Sequence, residues 1–160
     1  MSRRRIFGTA ILAAAIALCA HPVVAQSVAS VTGAGGAAFA RKASFNAVSL
    51  TGLKFGMGVF IAGGGASGDF DTTLLGTSTS GQPQTITVAG KPTSGSGQIG
   101  GSTSLSGLCT VNMGDGTPTQ SGVPFALAVV SVKGKGSLTL TLGGTNLPVA
   151  NLNAGTITVR

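Results

Sequence analysis

Ser137-Leu138-Thr139-Leu140-Thr141-Leu142 alternates polar and apolar side chains over six residues. Successive side chains on a strand point to opposite faces, so this run turns Leu138, Leu140 and Leu142 toward a core and Thr139 and Thr141 away from it. The same period of two recurs at Thr85-Ile86-Thr87-Val88 and at Thr156-Ile157-Thr158-Val159. Leu53, Phe55, Met57, Val59 and Ile61 occupy one face of a longer strand. Val123 to Val132 is almost continuously apolar, interrupted by Pro124 and Ser131, and reads as a strand buried on both faces. Phe45 to Leu50, Phe70 to Leu75 and Thr103 to Val111 follow the pattern more loosely.

Turn residues punctuate these runs. Gly81-Gln82-Pro83, Gly90-Lys91-Pro92, Gly143-Gly144 and Asn153-Ala154-Gly155 read as turns, and Gly63 to Gly68 and Thr93 to Gly97 as loops. About eight short strands between such breaks are the pattern of a sandwich or barrel, and the expectation is an all-β domain, an Ig-like, Greek-key β-sandwich. Composition agrees. Charged residues are 8% of the chain, against about 25% in an average soluble domain. Thr and Ser partner Val, Ile and Leu in their place, which suits a pleated, half-buried surface.

The N-terminus predicts a cleaved signal helix. Arg3, Arg4 and Arg5 precede the unbroken apolar run Ile11 to Ala20, and Val23-Val24-Ala25 sets small residues before Gln26. This is the order of a secretory signal peptide, with cleavage after Ala25. The apolar run falls short of the roughly 20 residues a spanning helix needs, so no stable membrane span is expected. Ser2-Arg3-Arg4-Arg5-Ile6-Phe7 resembles a twin-arginine export signal, with Ile6 where that pattern prefers Phe; general secretion is the default. The chain divides into a signal peptide, 1–25, a flexible Ala/Gly/Ser-rich lead, 26–44, and a single β-sandwich domain, 45–160. Within the lead, Gln26 to Val31 is uncharged and able to extend, so it could add to a neighbour's sheet as a donated strand.

Cleavage changes the chemistry available. It removes three of the ten basic residues, lowering the net charge of +7 by three, together with Cys19 and the single histidine, His21. The remainder lacks His, Trp, Tyr and Glu. General acid–base catalysis relies mostly on His, Glu and Asp, and a Ser or Thr nucleophile needs an activating base. The expectation is a protein that is not an enzyme and carries no cofactor. Cys109 lies in Leu105-Ser106-Gly107-Leu108-Cys109-Thr110-Val111, where alternate residues are mostly apolar, and reads as a buried thiol acting as a small hydrophobe.

The acidic residues are Asp69, Asp71 and Asp115. Asp69 and Asp71 share one face of an extended segment. With Asp115 brought in by the fold they form a calcium candidate, the remaining oxygen ligands coming from carbonyls or water; solvated turn aspartates are the simpler account. Met113-Gly114-Asp115-Gly116-Thr117-Pro118 resembles the Gly-Asp-Gly turn of bacterial surface Ig-like modules of the polycystic-kidney-disease type. Met113 stands where that pattern has an aromatic residue, and Asp and Gly suit any β-turn. Arg41, Lys42, Lys54, Lys91, Lys133, Lys135 and Arg160 make a mildly basic surface without clustered stacking aromatics, so no nucleic acid is expected as a partner. These lysines keep the domain soluble and blunt strand edges.

Export and exclusion lead to one expectation. The chain is a non-catalytic structural or adhesive β-domain, periplasmic or extracellular, of a bacterial cell surface, matrix or surface assembly. It would associate with itself or with other surface proteins by strand addition. The alternative is a small secreted binding module for a glycan or peptide, with the absence of Trp and Tyr weighing against glycan.

Overall fold

A computed structural model describes residues 29–132 and 135–160. The signal segment, Gln26 to Val28, Lys133 and Gly134 lie outside the described residues. Nine strands follow one another: β1 (Ala29–Phe45), β2 (Val48–Ala62), β3 (Gly65–Thr77), β4 (Pro83–Gly97), β5 (Ser102–Asn112), β6 (Gln120–Val132), β7 (Lys135–Leu142), β8 (Thr145–Asn146) and β9 (Ala150–Val159). All belong to one antiparallel sheet, in the order β6-β5-β4-β3-β2-β1-β9-β7-β8, and β6 also pairs with β7. That last pairing closes the sheet into a ring of eight strands, with β8 a short companion of β7.

The all-β expectation holds, but a Greek-key sandwich of two sheets is not what forms. A Greek key needs a strand that returns past its neighbours. Here β1 to β7 each pair with the next strand in sequence, and β9 returns to β1 with Val31 opposite Val159 and Phe39 opposite Ala150. An eight-stranded ring encloses a space just wide enough for side chains to fill. Leu, Val, Ile and Phe from every long strand fill it, and Phe70 and Phe125 stack inside with ring centroids 6.0 Å apart.

The predicted face assignments hold where alternation is clean. Leu138, Leu140 and Leu142 are buried and Thr139 and Thr141 only half-buried. Leu53, Phe55, Met57, Val59 and Ile61 all point inward from β2. Several breaks turn out to be strand. Gly90-Lys91-Pro92 and Thr93 to Gly97 lie within β4, where the β4–β5 register shifts between Pro92 and Ser94. A register shift is where a strand tolerates proline. Asn153-Ala154-Gly155 lies within β9. Asn153 is the extra residue of a bulge, since Gly36 pairs with Ala154 and Ala37 with Leu152. Conversely, Phe45 to Leu50 contains the β1–β2 turn, with Asn46 and Ala47 at φ 46° and 66°.

The expected flexible lead is also overturned from Ala29 onward. Ala29–Phe45 is the longest strand, paired on both sides, and Val31 is wholly buried. Its small residues answer to spacing. A Cβ on Gly33 would stand 2.7 Å from the Thr156 carbonyl oxygen, and one on Gly35 would collide with that of Ala154. Donation of Val31 to another chain's sheet would therefore cost two existing ladders.

The seam between β7 and β9 is the thinnest part of the ring, with Ser137 opposite Asn151 and Leu138 opposite Ala150. Farther along β9 the β4–β5 turn and the end of β6 take over. Gly100 N donates to Val159 O at 3.1 Å, Ser131 N to Gly101 O at 3.0 Å, and Ser131 Oγ to Ile157 O at 2.8 Å. A covered edge is one of the ways natural sheets avoid pairing with other chains.

Candidate functional site

The outer side of the ring carries an open depression over β1, β2 and β9. β1 and β2 present Ala34, Gly36, Ala38, Gly52, Gly56 and Gly58 outward or flush with the sheet, so that little stands above the backbone there. Two bulges border this floor: Asn153 on β9, and Thr51 on β2, which stands between paired Leu50 and Gly52. Bulges re-aim side chains and recur beside functional sites. The result is an open depression of about 510 Å³ lined by Gly36, Ala38, Thr51, Lys54, Leu75 and Asn153. A second, of about 320 Å³, lies on the far side of Lys54 and adds Asp71, Thr73 and Thr87. Lys54 stands between the two, opposite Gly36 and Thr73 in the ladders.

The chemistry of this face is one ammonium, one carboxylate, several hydroxyls and a carboxamide around a largely apolar floor. Thr72 beneath it is buried, and its hydroxyl donates to the Lys54 carbonyl at 2.7 Å, fixing β2 against β3 from the inner side.

The sequence singled out Asp69, Asp71 and Asp115. Asp69 and Asp71 do share the outward face of β3. Asp69 accepts an ion pair from Lys91, and that carboxylate raises the Lys91 ammonium above its ordinary pKa. Both side chains are largely exposed, so the pair adds little to stability. Asp115 sits apart, in the β5–β6 connection. It accepts from Thr117 N at 3.0 Å and Thr117 Oγ1 at 2.6 Å, which holds its carboxyl below the usual carboxylate range. This is the local bonding of an Asx turn. Among the described residues no group of three or more His, Cys, Asp or Glu side chains is placed to hold a metal ion. The calcium candidate thus separates into a surface ion pair and a turn.

Cys109 points inward from β5 and is buried, and burial pushes its thiol upward in pKa. Sequence reasoning passed over Lys54, Thr51 and Asn153 as site residues. The signal for Lys54 was its place among the positions between the apolar residues of β2, where Lys54, Gly56 and Gly58 alternate with Phe55, Met57 and Val59; Thr51 and Asn153 are set there by register shifts that the residue pattern does not announce. Comparison with protein-family models, with curated proteins and with solved structures finds no match to this chain.

Proposed function

We propose that the chain is exported, loses residues 1–25, and serves as a non-catalytic structural or adhesive β-domain of a bacterial cell surface, matrix or surface assembly. The observation that carries this reading is the division of side chains across the closed sheet. The inner side is filled by apolar residues, while Thr32, Lys54, Asp71, Thr87 and Thr110 face outward. A ring packed in this way holds its shape through its own core and offers partners a broad outer surface. A membrane-spanning barrel has the reverse plan, an apolar outer band around a polar interior. The export half rests on the order of charged, apolar and small residues in 1–25.

The test is expression of the full chain in a bacterial host, followed by fractionation and intact-mass analysis, then retention of the exported domain on cells or matrix. A species that keeps residues 1–25 in the cytoplasm would overturn the export reading. An exported domain that washes off both supports would overturn the structural or adhesive role.

The depression around Lys54 favours a second reading, a small secreted binding module for a glycan or peptide. Glycan- or peptide-array binding lost in Lys54→Ala and Asn153→Ala would support it, and blank arrays would count against it.

A further inference from the structure

β6 departs furthest from the alternation of a half-buried strand, beyond the outward Phe60 of β2 and Leu108 of β5. Antiparallel strands with one face on the core and one on water alternate apolar and polar residues. β6 instead turns Pro124, Ala126, Ala128, Val130 and Val132 outward, between buried Phe125, Leu127 and Val129. Leu108, opposite Pro124 on β5, extends the stripe sideways. Leu108 is 56% exposed, Val132 49% and Val130 41%. In sequence this segment reads as a strand buried on both faces, and the barrel buries one.

The surroundings of the stripe suit a particular occupant. Ser102, Ser104 and Ser106 flank it on β5, and Ser137, Thr139 and Thr141 on β7. These side chains are neutral and short; the β7 row continues to Lys135, opposite Val132 at the end of the stripe. Arg41, Lys42, Lys54, Asp69, Asp71 and Lys91 all lie on β1 to β4. The chain is net positive, so two copies repel one another at long range. Their approach through the β5–β6–β7 face keeps the cations of β1 to β4 on the far sides.

We propose that this face packs against its counterpart on a second copy of the chain, β6 against β6, as a two-fold dimer. Ala126 and Ala128 lie at the middle of the stripe, with Pro124 and Leu108 toward one end and Val130 and Val132 toward the other. Twisted sheets packed face to face approach most closely at their centre and diverge toward the corners. Small residues at the centre and larger ones toward the ends fit that shape. With strands about 4.8 Å apart and about 3.3 Å per residue, the 11, 13 and 8 residues of β5, β6 and β7 present roughly 500 Å² per copy. Both copies together bury roughly 1,000 Å², at the lower limit of specific interfaces, so the dimer is a reversible one. This pairing goes beyond the structural reading above and does not depend on export.

The test is sedimentation velocity of the exported chain from about 1 to 500 μM, alone and as Val130→Lys and Leu108→Lys. Both positions are exposed, so the variants should keep the wild-type far-UV spectrum and melting profile. The wild type should shift from monomer to dimer across this range and remain dimeric in 0.5 M NaCl, while each variant raises the dissociation constant at least tenfold. Ala128→Cys should form a disulfide-linked dimer under mild oxidation, and Thr87→Cys, on β4, should not. A wild type that stays monomeric throughout, or a dimer that neither lysine variant weakens, would overturn the proposal. So would a monomer that binds phosphatidylcholine vesicles through Val130, which would make lipid the occupant.

Discussion

The same substitution, glycine to alanine, should stabilise the barrel at one position and destabilise it at another. Gly90 lies on β4 between Phe70 on β3 and Cys109 on β5. A Cβ there would stand 3.1 Å from both Cε1 and Cζ of Phe125 and 3.3 Å from the Phe70 carbonyl oxygen. The Phe125 ring is 3% exposed and stacks on Phe70 at an interplanar angle of 23°, so it has little room to withdraw. Overpacking a close-packed core costs about 1–3 kcal/mol. Gly56 lies on β2 with nothing within 4 Å of its Cβ position. Alanine there only reduces the freedom of the unfolded chain and should gain about 0.4–1 kcal/mol. Urea unfolding followed by far-UV circular dichroism reads both. With a slope of about 2 kcal/mol per M, Gly90→Ala should lower the midpoint by about 0.5–1.5 M and Gly56→Ala raise it slightly. Phe125→Leu should then relieve Gly90→Ala, with a coupling of about 1 kcal/mol or more in the double-mutant cycle. If both glycine variants moved the midpoint the same way, or if Gly90→Ala cost the same beside Phe125→Leu, the packing argument would fail.

Leu140→Ala should cost about 2–5 kcal/mol, because Leu140 is 2% exposed and three lost carbons carry about 2.4 kcal/mol before any cavity is counted. Thr139→Ala should cost far less, and equal losses in the same titration would contradict the inward face of β7. The Cys109 thiol should resist an aromatic disulfide reagent at pH 8 in the native protein and react at once in guanidinium. Its folded pKa is raised by burial, so its contribution to stability is complete below the unfolded thiol pKa and declines as pH rises through the folded one. A falling unfolding midpoint above about pH 9, absent in Cys109→Ala, would report it, and fast native labelling would refute it. Intact-mass analysis of exported protein should find Gln26 at the N-terminus; any other start moves the cleavage site.

Much of this molecule is legible in residue order. Alternation in Ser137 to Leu142 and in Leu53 to Ile61 states which side chains face a core, since the two faces of a strand are a local property. The same reading places Cys109 inside. The candidate site is less legible. Asp69, Asp71 and Asp115 are conspicuous as the only acids, yet whether they meet depends on which strands become neighbours, and β3 and the β5–β6 turn do not bring them together. Lys54, Thr51 and Asn153 border a depression because two ladders slip by one residue beside a floor of glycine and alanine.

What only the tertiary structure decided is the pairing. Backbone N–H and C=O groups are the same at almost every residue, so a strand's pattern says how it is faced but hardly with whom it pairs. Val31 finds Val159 across nearly the whole described chain, and that contact, with β6 on β7, turns a row of strands into one closed sheet where two packed sheets were expected. It also turns Ala29–Phe45 from an apparent lead into a strand, because its glycines bring β1 within ladder distance of β9. The outward stripe on β6 is the remaining discrepancy between the two levels. The sequence makes that strand apolar on both sides, and the barrel covers one of them.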